Sequence, residues 1–132
     1  MKVFRFMSDE EFEKYLNGET LHNDTNHRQE KRFTDSIGFC FMDTEHIAPE
    51  FAYEFLEGIV SDDVCVQFEV DESLLTESYG TYANPYGEDF FSTMDVTEYC
   101  CNSYNKEDFK MLSYCKDSEM FNFDWKAVNE NG

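Results

Sequence analysis

Residues 33–105 contain no lysine and no arginine, yet they carry 16 acidic side chains, and His46 is the one internal group that could offset them. All ten basic residues lie outside this stretch. Lys2, Arg5, Lys14, Arg28, Lys31 and Arg32 precede it, and Lys106, Lys110, Lys116 and Lys126 follow it. A folded domain that keeps such one-sided charge carries a self-repulsion cost, so the imbalance points to a use.

The chain is nonetheless built to fold. Disordered acidic segments are poor in aromatic residues. This chain holds 14 Phe and 8 Tyr in 132 residues, a length that fits one domain with a core of its own. A net charge of −19 repels nucleic acid and anionic membrane, because phosphate binding needs Lys and Arg to displace counterions. The same charge steers encounters with basic surfaces. The expected partner is therefore a basic protein that itself binds nucleic acid, with no direct nucleic-acid or membrane contact.

Five cysteines, at 40, 65, 100, 101 and 115, are odd in number and show no C-x-x-C spacing. They read as reduced, mostly buried thiols, without a disulfide framework or zinc site. Met1-Lys2-Val3-Phe4-Arg5 lacks the apolar core of a signal peptide, and no apolar run approaches membrane-spanning length. The expected location is the cytoplasm.

Lys2 to Met7 alternates polar and apolar residues before its last pair and predicts a first strand. Ser8-Asp9-Glu10-Glu11 has the form of a capping box, opening a helix over 9–17 with Phe12, Tyr15 and Leu16 on one face and Gly18 as its left-handed stop. Residues 19–33 are polar, hold the basic cluster with His22 and His27, and read as a loop. Residues 37–42 predict a buried strand. Residues 48–58 predict a second helix, with Pro49 in its first turn, Gly58 at its end, and Phe51, Ala52, Phe55, Leu56 and Ile59 at helical spacing.

Residues 64–70 form the clearest strand pattern: Val64, Val66, Phe68 and Val70 share one face, and Cys65, Gln67 and Glu69 the other. A turn or short helix is expected over 71–75. Residues 79–91, broken by Gly80, Asn84-Pro85 and Gly87, read as a turn-rich loop suited to binding. Closing strands are expected over 95–99 and 109–115, joined by a turn at 102–108. Phe121, Phe123 and Trp125 alternate as a last edge strand, and residues 129–132 should fray. The expected fold is a single α+β domain: a twisted, mostly antiparallel sheet of five to six short strands with two helices.

No G-x-S-x-G, P-loop, H-E-x-x-H, calcium loop or dinucleotide fingerprint is present. The three histidines have no ligand spacing. Asp62-Asp63 and Glu88-Asp89 are adjacent acids that point in different directions, so no metal site is read.

The order of elements, with Phe4-Arg5-Phe6-Met7-Ser8 at the entry, Ser36-Ile37-Gly38-Phe39-Cys40-Phe41 in the middle and Glu98 in a late strand, resembles ADP-ribosyltransferase-type domains at pattern level over about two thirds of the chain. That resemblance implies NAD as cofactor. Arg5 would hold the dinucleotide, Ser36 would stand in the middle motif, and Glu98 would stabilise the ribosyl cation. Phe6 stands where that family usually has Gly.

The acidic middle gives the preferred reading. B-DNA presents about one charge per 1.7 Å of axis. Glu50, Glu54 and Glu57 fall at i, i+4 and i+7, one stripe of the second helix. Asp62, Asp63, Glu69, Asp71 and Glu72 would extend it. In composition and size this resembles acidic phage and mobile-element proteins that mimic nucleic acid, such as anti-CRISPR and antirestriction proteins. The expected function is non-catalytic: binding the basic channel of a nucleic-acid enzyme, for example a CRISPR effector nuclease, and blocking substrate entry. The expected contact residues are Glu50, Glu54, Glu57, Asp62, Asp63, Asp71 and Glu72, with Tyr79, Tyr82 and Tyr86 as aromatic anchors and no cofactor. An acidic protein-binding adaptor is the third reading.

Overall fold

The computed structural model describes residues 1–22, 39–56, 62–83, 93–116 and 124–127, with the backbone alone at 54–56, 78–83 and 93–96. The protein is α+β. Nine strands are described: β1 (Lys2–Met7), β2 (Leu21–His22), β3 (Phe39–Asp43), β4 (Val64–Glu69), β5 (Thr76–Ala83), β6 (Thr93–Cys101), β7 (Ser103–Tyr104), β8 (Lys110–Lys116) and β9 (Lys126–Ala127). The helices are α1 (Asp9–Leu16) and α2 (Pro49–Leu56), with a 3-10 turn at Glu72–Leu74. Seven strands form one sheet in the order β5-β6-β3-β1-β4-β8-β9, and β2 pairs with β7 apart from it. Every described pairing is antiparallel.

The sheet is covered on both faces. Successive residues of a strand point to opposite sides. Val3, Met7, Phe39, Phe41, Val64, Val66 and Phe68 accordingly pack with Phe12 and Tyr15 of α1 and with Tyr104 and Phe109. Phe4, Phe6, Met42, Cys65 and Cys115 pack with Ala52 of α2 on the other side. The central strand β1 is buried at four of its six positions for this reason.

Helix α1 starts as its capping box predicts. The Ser8 hydroxyl accepts from the Glu11 amide at 3.1 Å, and Asp9, Glu10 and Glu11 occupy the positive end of the helix dipole. Gly18 follows the helix at φ +80, a backbone conformation that costs a residue without a Cβ nothing. The Tyr15 hydroxyl donates to the Phe109 carbonyl at 2.5 Å and accepts from the Met111 amide at 3.1 Å, tying α1 to the start of β8.

Several expectations need correction. The sheet has seven strands, where five to six were expected, because β5 occupies part of the segment read as a loop. Tyr79 and Tyr82 therefore stand on a strand, opposite Thr97 and Met94. The turn signal of Gly80 is overridden by eight residues of ladder with β6. Leu21, within the expected polar loop, is buried, and β2 forms there. Leu16 and Phe51 are exposed at 43% and 46%, so the apolar stripes of both helices are narrower than their spacing implied. The last edge strand is Lys126–Ala127, beside Ser113 and Tyr114 of β8. Phe121, Phe123, most of the basic cluster, Gly58, Ile59 and residues 129–132 lie outside the described residues. No helix among the described residues is long and apolar enough to cross a membrane.

Candidate functional site

Three constellations carry charge or reactive atoms. The first is centred on Arg5. Its Nε donates to Glu11 Oε2 at 2.7 Å and its Nη2 to Glu11 Oε1 at 2.9 Å, a two-pronged pair that a planar guanidinium favours. Arg5 Nη1 donates to the Cys40 carbonyl at 3.1 Å, and Tyr104 Oη donates to Glu11 Oε2 at 2.5 Å. The guanidinium carbon lies 5.2 Å from the Phe39 ring centre and 5.8 Å from that of Phe41. Burial by itself would lower the Arg5 pKa, but the adjacent Glu11 carboxylate outweighs it and the pKa is raised. Burial, and then Glu11, raises the pKa of Tyr104. This network holds α1 against the sheet.

Glu98 sits elsewhere. It is 1% exposed on β6, opposite Met42 of β3. Directly opposed antiparallel residues share a face, and Met42 packs in the cluster beneath α2. Arg5, stacked among Phe39 and Phe41, projects to the α1 side. The two residues that the ADP-ribosyltransferase resemblance would bring together therefore project from opposite faces of the sheet. Ser36 lies outside the described residues.

Around Glu98 is the second constellation. Cys40 Sγ and Cys100 Sγ are 3.6 Å apart, and these two atoms and a Glu98 carboxylate oxygen all lie within 4.8 Å of one another. This trio could hold a metal ion. Cys40 is half-buried and Cys100 buried. The neighbouring Cys101 lies on the opposite face, where burial pushes its thiol up to about 12.

The third is an acidic patch around Tyr99 of β6. The pKa of Tyr99, which is half-buried, is raised first by burial and then by the field of Asp43, Glu77, Glu72 and Glu45. Glu77 is its direct ladder partner on β5, and Asp43 follows its other partner, Phe41, by two residues on β3. Glu45, Glu72 and Glu77 are exposed. Asp71 caps the adjoining 3-10 turn: its carboxylate accepts from the Ser73 amide at 3.0 Å, which lowers its pKa. Among the described residues, the basic groups that form ion pairs near this region belong to the chain's N-terminus and to an imidazole. The chain's N-terminal ammonium lies 3.5 Å from Glu69, and His46 Nδ1 lies 2.9 Å from Asp43 Oδ2. Among the described residues no lysine or arginine forms an ion pair with Glu45, Glu72 or Glu77.

The acids expected to form one stripe are divided by the fold. Asp63 precedes β4 and accepts from the Asp9 amide at 3.1 Å, whereas Asp71 and Glu72 follow that strand's far end. Six strand residues separate these groups by about 20 Å. Glu50, on α2, accepts from Trp125 Nε1 at 2.9 Å on the side of the sheet away from α1. Glu54 is described by its backbone alone, and Glu57 and Tyr86 lie outside the described residues. Of the expected set, Glu72 joins the Tyr99 patch, with Asp71 next to it in the chain. Asp43, Glu45, Glu77 and Tyr99 belong to the patch and were not singled out. Their signal was indirect: Tyr99 pairs with Glu77 on one side and Phe41 on the other, a register that sequence spacing does not reveal.

No protein-family model, no curated protein and no solved structure matches the chain.

Proposed function

We propose that this protein is a non-catalytic acidic binder that occupies the basic nucleic-acid-binding surface of a target enzyme, in the cytoplasm, and blocks substrate entry there. The observation that carries this reading is the Tyr99 patch, where Asp43, Glu45, Glu72 and Glu77 gather around one aromatic side chain on a chain of net charge −19. Clustered carboxylates raise the local negative potential and speed encounter with a basic partner. A half-buried tyrosine among them offers an anchor of the type that dominates binding energy at interfaces. A CRISPR effector nuclease is one example of a target with the required basic channel.

The competing enzyme reading needs Arg5 to meet a dinucleotide. That role is at odds with a guanidinium already closed by Glu11 and with Glu98 on the opposite face. The test is competition. A target enzyme should lose DNA or RNA binding in proportion to added protein, and the protein–target complex, measured without nucleic acid, should weaken steeply as salt is raised. A protein–target affinity unchanged at high salt would count against charge mimicry.

A further inference from the structure

Cys40 and Cys100 are direct partners in the β3–β6 ladder, and Glu98 stands two residues before Cys100 on the same face of β6. We infer that Cys40, Cys100 and Glu98 together bind one thiophilic divalent cation of the Zn2+ class. Tetrahedral zinc with Zn–S bonds of about 2.3 Å requires two ligating sulfurs to sit about 3.8 Å apart. The observed 3.6 Å is close to that, and far beyond the length of a disulfide bond, about 2.05 Å. A Glu98 carboxylate oxygen within 4.8 Å of both sulfurs needs only a side-chain adjustment to complete a third ligand.

The donor set selects the ion class. Two thiolates with one carboxylate suit a borderline-soft cation, whereas Ca2+ and Mg2+ require six or more oxygen ligands. The scaffold is rigid where the ligands attach. All three lie on paired strands, and the Cys40 carbonyl is held by Arg5 Nη1 at 3.1 Å. Cys100 and Glu98 are buried, while Cys40 is part-exposed and gives the ion a way in. Three protein ligands leave a fourth coordination position for water, on the side of Cys40. Among the described residues this is the one trio of His, Cys, Asp or Glu with such spacing. Cys65 and Cys115 also oppose each other, but among the described residues they form no such trio with a third ligand atom. The inference is independent of the function proposed above.

The test uses the reduced, chelator-stripped full chain titrated with Co2+, a coloured substitute for Zn2+. The expected result is one Co2+ per chain with a sulfur-to-cobalt charge-transfer band, bleached when Zn2+ displaces it. Zn2+ should also raise the midpoint of thermal unfolding, since an ion that binds only the folded state stabilises it. The band should vanish in Cys40→Ser and Cys100→Ser and survive in Cys101→Ser. Glu98→Gln should weaken binding by roughly tenfold or more, at least what loss of an outer-shell partner costs. Circular dichroism of each variant separates lost ligation from lost folding. Absence of the band in the wild-type protein overturns the inference whatever the variants do. So does a band retained in both Cys40→Ser and Cys100→Ser.

Discussion

Both carboxylate oxygens of Glu11 close on Arg5, at 2.7 and 2.9 Å, between the first helix and the central strand. Their side chains are 9% and 16% exposed, so neither charge has ready access to water. Removing one partner of such a pair strands the other. Glu11→Ala should therefore cost about 3–5 kcal/mol, read as a lower urea midpoint. The double change Arg5→Met with Glu11→Leu should recover most of that loss, because an apolar pair carries no desolvation cost. A loss in Glu11→Ala of under about 1 kcal/mol would place the pair among surface ion pairs instead.

Alkali should unfold the protein through its buried tyrosines. Burial pushes the Tyr15 phenol from 10.0 up to about 12, against a smaller lowering by the Met111 amide. The folded state thus holds the proton more tightly than the unfolded chain. This contribution is fully present below the unfolded value of 10.0 and is lost as pH rises toward about 12. An absorbance titration should show exposed tyrosines ionising first, with a later step that coincides with loss of circular dichroism. A single step that leaves the fold intact would contradict the burial of Tyr15.

The α1 cap gives a smaller effect. Ser8→Ala removes the acceptor for the Glu11 amide and should cost about 1 kcal/mol. Thermal unfolding should shift down by roughly 3–5 °C in a domain of this size. Ser8→Asp should stay near wild type, since Asp caps as well as Ser.

What the sequence disclosed was the local part of this fold. The α1 cap and stop are set within a dozen residues, and the two faces of β4 follow from strict alternation between Val64 and Val70. Both matched the structure. β5 was missed because Gly80 and the following Asn84-Pro85 look like turn residues, while pairing with β6 over eight positions decides otherwise. The same limit applies to the sites. Cys40 and Cys100 are 60 residues apart, and only the β3–β6 register makes them neighbours. The charge excess was plain in the composition, but β4 separates Asp63 from Asp71, and the acids whose field reaches Tyr99 come from three segments: the end of β3, the 3-10 turn and β5. Charge can be counted from sequence, whereas its placement requires the ladder.

If the Tyr99 patch is the contact surface, reversing its charge should matter more than reversing charge elsewhere. Glu72→Lys with Glu77→Lys should weaken capture of a basic partner by roughly tenfold or more, mainly through slower association. Glu19→Lys, on the exposed segment after α1, should change it little. Equal losses from both would mean that net charge acts without a defined patch.

The most direct test of the central claim is affinity capture on the immobilised full chain from a bacterial lysate, eluted by a salt gradient with and without competing DNA. The account predicts a basic nucleic-acid-binding protein that is released at moderate salt, displaced by DNA, and not retained by the Glu72→Lys, Glu77→Lys variant. Capture that is indifferent to salt, DNA and these substitutions, or no basic partner at all, would contradict it.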